Sequence, residues 1–274
     1  MLSVFGVVAV VSLGACSSSS SSPESGSTSS SSSSGSGSTS GDPGKPAAGP
    51  FKTYVILGDS ISDRGGSGPF FYDLVGDDLK KKDSAIAVVK KSRGGAVSRQ
   101  LPGQVTSLPA TLAGPVAVSV TIGGNDMQGA AIAILQGNDA ADRKTFQESL
   151  AKAYDELMKP GRFGEGVAVT IFHATIYDPT DGQGNFGEAG CPGYLAAIPK
   201  QPTKRFWDNW NNAAKEVTDK YGASLVTVDI RSKFEGHGVG HLKDGSSWFA
   251  PDCIHPNTTG HEELHKMFTP VVVR

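Results

Sequence analysis

The chain has 274 residues, a formal net charge of -2 and three cysteines. Neither sign of charge runs in a block, so the basic stripe that a nucleic-acid partner wants is missing. The first fifty residues do not read as foldable, and the remainder is one domain-sized segment, long enough for a single core.

Residues 4–13 are an apolar run too short to span a bilayer. The run ends at Leu13-Gly14-Ala15-Cys16, which resembles a bacterial lipoprotein lipobox, although no Lys or Arg precedes it. That resemblance implies a signal peptide over 1–15, lipidation of Cys16 and a membrane anchor; a secreted, non-lipidated product stays open beside it. Residues 16–50 are a Ser/Gly/Pro tract without apolar periodicity. Such a stretch buries too little surface to offset its ordering entropy, and it reads as a disordered tether ahead of a domain over 51–274.

Residues 53–57 read as a buried strand that stops at Gly58-Asp59-Ser60. In an open parallel sheet, ligands bind beyond the carboxyl ends of the strands, so Ser60 sits where chemistry is done. A helical spacing comes next over 70–82, then a second buried strand over 85–89 and a glycine turn, Arg93-Gly94-Gly95-Ala96. Pro102 and Pro109 break 100–112 into short helical pieces. A third strand, 116–122, ends at Gly123-Gly124-Asn125-Asp126, and helices are expected over 130–135 and 140–158. A fourth strand, 167–172, leads into a Gly/Pro-rich loop over 178–199. A helix over 204–221, a fifth strand over 224–230, an irregular stretch and a last helix over 258–268 complete the chain. Strands alternating with helices argue for a parallel sheet covered on both faces.

The spaced set Gly58-Asp59-Ser60, Gly95, Gly123-Gly124-Asn125-Asp126 and Asp252-Cys253-Ile254-His255 resembles the SGNH (GDSL) hydrolases from residue 51 to the end. The resemblance implies a flavodoxin-like three-layer α/β/α fold with strand order 2-1-3-4-5. It implies a serine esterase with Ser60 as nucleophile, His255 as base and Asp252 as its orienting carboxylate. The oxyanion donors would be the N–H of Ser60, the N–H of Gly95 and the side-chain amide of Asn125, with Asp59 and Asp126 holding the loops. The adjacent Gly94 leaves the glycine register open by one.

Such an enzyme needs no cofactor or metal, and a small-molecule or glycan ester would be its substrate, acted on by a monomer. A carbohydrate O-deacetylase would use the same residues, and a catalytically silent envelope binding lipoprotein is the reading outside the enzymes. His261-Glu262-Glu263-Leu264-His265 matches a zinc-protease motif, but no third ligand comes after it. Asp178, Asp181 and Asn185 suggest a turn rather than a calcium loop, since the closing Glu is missing. Phe206, Trp207 and Trp210 have the spacing of a packed helix face, whereas Trp248 and Phe249 are expected to line a substrate pocket. In an exported protein Cys191 and Cys253 are expected to form a disulfide.

Overall fold

The computed structural model describes residues 49–274. The expected signal peptide, Cys16 and nearly all of the tether lie outside the described residues. Five strands form one parallel sheet: β1 (Thr53–Gly58), β2 (Ala87–Lys90), β3 (Val116–Thr121), β4 (Val169–Ala174) and β5 (Leu225–Val228), in the order β2-β1-β3-β4-β5. The helices are α1 (Phe71–Lys82), α2 (Leu101–Thr106), α3 (Gly124–Gly129), α4 (Ala131–Gln136), α5 (Ala140–Met158), α6 (Phe186–Ala189), α7 (Lys204–Thr218), α8 (Ile230–Phe234) and α9 (Thr258–Val272).

Side chains alternate across a strand, and the core divides accordingly. Val55 and Leu57 of β1 pack with α2, α5 and α7 on one face, while Tyr54 and Ile56 pack with α1 and α9 on the other. Being covered on both faces, β1 and β3 are buried along their whole length and are mostly apolar, as central parallel strands are. The strand expected over 85–89 is shifted to Ala87–Lys90 and is not buried. It pairs with β1 alone, at the edge of the sheet, which leaves Val88 exposed.

The register of β1 on β3 runs from Thr53 beside Val116 to Gly58 beside Thr121, so both strands end together at the carboxyl edge. A Cβ on Gly58 would overlap the carbonyl oxygen of Thr121, and its φ of 117° lies in the region that only glycine adopts readily. Buried Gln104 of α2 clamps this glycine from the side. It accepts the Gly58 N–H at 2.7 Å and donates to the Gly58 carbonyl at 2.8 Å.

Helix α3 starts immediately after β3, six residues ahead of the expected helix, because Gly123 takes a left-handed turn at φ 115°. Asn125 and Asp126 therefore sit in a helix's first turn rather than in a loop. The 178–199 loop holds α6 and a 3-10 turn, Gly193–Ala197.

Candidate active site

Ser60 opens a 3-10 turn, Ser60–Ser62, directly beyond β1. Asp59 caps that turn: its Oδ1 accepts the Ile61 N–H at 3.1 Å and is bonded to Thr121 Oγ1 at 2.9 Å. The Ser60 N–H, first in its turn, has no acceptor within the helix.

His255 and Asp252 arrive on the segment between Pro251 and α9. The Ser60 hydroxyl lies 2.7 Å from His255 Nε2, and Asp252 Oδ2 lies 2.8 Å from His255 Nδ1. A carboxylate accepts, so Nδ1 carries the imidazole proton and Nε2 presents a lone pair to Ser60. The other oxygen, Asp252 Oδ1, accepts the N–H groups of Ile254 and His255, each at 3.0 Å. Burial pushes the Asp252 carboxyl up, but the His255 side chain and these two N–H groups outweigh it and bring the pKa down to about 2. Asp252 is thus an anion across the neutral range.

Cys253 bonds to Cys191, with Cα atoms 5.7 Å apart, and holds this segment in a left-handed kink at φ 65°. Tyr177 secures it further by donating to the Ile254 carbonyl at 2.7 Å.

The expected oxyanion donors converge in part. Asn125 Nδ2 donates to the Ala96 carbonyl at 3.0 Å, which ties the Gly95 turn to α3. Asp126 reinforces the tie by accepting the Ser98 N–H at 2.8 Å and the Ser98 hydroxyl at 2.6 Å. The Gly94 N–H is committed to Asp63 Oδ2 at 2.9 Å, whereas no described residue accepts the Gly95 N–H. That separates the two adjacent glycines that the sequence left open. Ser60, Asn125 and His255 line one cavity; Gly95 does not.

Asp59 is almost fully buried, and burial drives its carboxyl up to about 7 despite the Thr121 and Ile61 bonds. Asp126 is raised in the same way.

The aromatic assignment is reversed. Phe249 is buried against Tyr177 and Phe234, and Trp248 stacks on His237, so neither lines the cavity. Phe206 and Trp207 do line it, from the first turn of α7, and only Trp210 is wholly core, donating to Asp139 at 2.8 Å. The zinc-motif histidines face different partners: His261 Nε2 meets the Gly65 carbonyl and His265 Nε2 meets Asp78. Asp178 spends its oxygens on Thr180, Gly182 and Thr203, and Asp181 accepts from Gly236 and Gly238. Gln104 and Thr121 do not stand out in the sequence. A glutamine two residues after a proline carries no signal of the strand end it clamps.

A doubly covered parallel sheet with this serine, histidine and aspartate at its carboxyl edge defines an ester-cleaving serine hydrolase. Residues 56–263 match the GDSL-like Lipase/Acylhydrolase family, and the chain belongs to it. No curated protein matches the chain.

Among solved structures, it is similar to LAE5, an alpha/beta hydrolase enzyme from the metagenome of Lake Arreo, Spain (17% identity, TM-score 0.52, 82% of this chain and 96% of that one). It is equally similar to Axe2, an acetylxylan esterase from Geobacillus stearothermophilus (17% identity, TM-score 0.52, 82% and 95%). A mutant of Axe2, there described as an acetyl-xylooligosaccharide esterase, gives 16% identity and a TM-score of 0.54, covering 82% and 96%. At these identities the likeness is one of fold.

Proposed function

We propose that the chain hydrolyses carboxylic esters through an acyl-enzyme on Ser60. Ser60 Oγ attacks the ester carbonyl carbon while His255 Nε2 takes its proton, and the Asp252 anion stabilises the imidazolium. The carbonyl oxygen, now an oxyanion, is held by the N–H groups of Ser60 and Gly95 and by Asn125 Nδ2. Collapse expels the alcohol, which takes the proton from His255. A water then attacks the acyl carbon with His255 as base, which frees the acid and restores Ser60.

The observation that carries this reading is the run of two short hydrogen bonds from Ser60 through His255 to Asp252. The Axe2 structures lend support, since catalytic mutants of that enzyme replace one serine, one aspartate and one histidine. A fluorophosphonate should label wild-type protein at Ser60 and leave Ser60→Ala unlabelled and inactive on aryl esters. Wild-type turnover by a folded Ser60→Ala protein would reject the reading.

The acetylxylan esterase neighbours favour a second reading, a carbohydrate O-deacetylase built on the same residues. Acetate release from acetylated glycans, measured against aryl esters, separates the two. We also propose export, with Cys16 as a lipidated anchor. The apolar run ahead of Cys16 supports it, and so does a disulfide of the kind that persists in oxidising compartments. Radiolabelled palmitate incorporated into wild type but not into Cys16→Ser is the expected result.

A further inference from the structure

The cavity beside Ser60 is a half-open cleft of about 140 Å³. Among the described residues no Lys, Arg or Glu lines it, and its walls are mainly apolar side chains such as Met127, Ile134 and Leu135 from α3 and α4 and Phe206 and Trp207 from α7. Most polar side chains in the wall are already engaged within the protein, the Gln201 amide and the Trp207 indole N–H being the exceptions. Thr121 is bonded to Asp59, Thr203 donates to Asp178, Thr175 is bonded to Asp229, and Gln128 accepts from Tyr194. A sugar ring placed there would leave water's hydrogen bonds and regain few of them. An alkyl chain loses nothing polar and buries its whole length.

Resting on the acyl-enzyme mechanism, we propose that this cleft takes the acyl chain of the ester and prefers chains of about four to six carbons over acetyl. The alcohol must leave beside His255 Nε2, the atom that protonates it. His255 lines the cleft too, but the α3–α4 wall is carried by the helices that bear and follow Asn125 and not by the His255 segment, and we take that wall for the acyl half. The size follows from volume: an apolar cavity of ~150 Å³ admits benzene, a molecule of six carbons. Ala131, on the same wall, is only partly buried, and a larger side chain there would shorten the cleft.

The test uses p-nitrophenyl esters on the full chain. Hexanoate should exceed acetate at least tenfold in kcat/KM, and Ala131→Phe should cut the hexanoate-to-acetate ratio at least tenfold. Acetate turned over as well as hexanoate, with Ser60 still labelled by fluorophosphonate, overturns the acyl cleft and leaves the serine mechanism standing. A preference that tracks alcohol length in a series of acetates, rather than acyl length, overturns the assignment to the acyl half. No labelling of Ser60 and no hydrolysis of any ester removes the mechanism, and the cleft with it.

A separate set of contacts points to His261 as a positioning residue for His255. His261 is fully buried on α9, edge-on to Phe70 at 5.1 Å, and its Nε2 lies 2.8 Å from the Gly65 carbonyl. A carbonyl only accepts, so Nε2 carries the proton, and Nδ1 has no partner among the described residues. Gly65 in turn donates its N–H to the Ser60 carbonyl at 2.7 Å, and a Cβ on it would overlap His255 Cδ2. The Gly65 backbone is therefore wedged between nucleophile and base, and the His261 hydrogen bond holds the wedge.

His261→Phe keeps a ring and loses the donor. It should lower kcat tenfold or more with KM changed less than twofold, and His261→Gln, which keeps an N–H, should recover part of the loss. Gly65→Ala, which pushes on the imidazole from the other side, should show the same kcat loss and decides the matter if His261→Phe does not fold. Wild-type kcat in a folded His261→Phe protein, or in Gly65→Ala, overturns the role.

Discussion

Asn125 donates to the Ala96 carbonyl in the resting structure and, in the proposed mechanism, also to the oxyanion, a contact made only in the transition state. Asn125→Ala should lower kcat by roughly a hundredfold while KM moves little, the loss typical of one oxyanion donor. Steady-state kinetics on an aryl ester check it, and a pure KM effect contradicts the role. Asp59 makes a different prediction, about stability. Its folded pKa of about 7 lies above the unfolded carboxylate value of about 4. Its contribution is therefore fully present below pH 4 and is lost as pH rises through 7. Asp59→Asn keeps an acceptor for Ile61 and Thr121 but cannot ionise. Relative to wild type, it should gain stability at pH 8 compared with pH 4, as read by urea unfolding at both. An unchanged difference between the two proteins would show that folding does not raise the Asp59 pKa.

The disulfide joins two elements that both bear on the site, the loop after α6 and the segment that carries Asp252 and His255. Closing a loop with a sequence separation of 62 stabilises by roughly 4 kcal/mol on chain-entropy grounds. The kinetic effect should come first, since a base misplaced by ~1 Å can cost a hundredfold in rate. Mild reduction should slow ester turnover before the circular dichroism changes; loss of both together would show that the bond supports the fold alone.

Helix α7 shows where periodicity stops informing. Its spacing correctly groups Phe206 with Trp210, yet it says nothing about the helix's ends. A helix that comes after a parallel strand begins at the carboxyl edge of the sheet, so Phe206 and Trp207 in its first turn overhang the site. The edge strand β2 behaves alike, because Val88 has the apolar character of a core strand and is exposed only through its place in the strand order.

At the scale of the molecule, we propose residues 51–274 as the folding unit. Phe51 is 2% exposed and packs edge-on against Phe172 at 5.9 Å, and the Lys52 N–H reaches the Pro115 carbonyl at 2.8 Å. A chain starting at residue 51 should keep the melting temperature and ester turnover of the longer one. Phe51→Ala in that chain should lose about 3 kcal/mol, since a large buried ring is removed. Thermal unfolding of the three proteins checks both expectations.

By itself the sequence determined the alternation of strands and helices, hence the parallel sheet, and, through their resemblance to a family's motifs, the three short blocks that name Ser60, Asn125, Asp252 and His255. These are local properties, written in period and spacing. Tertiary structure alone decided which of Gly94 and Gly95 keeps a free N–H, which aromatics face the substrate, and that Gln104 and His261 brace the strand end and the base. Those choices depend on hydrogen bonds between residues as far apart as Gly65 and His261, and no local pattern along the chain encodes such partners.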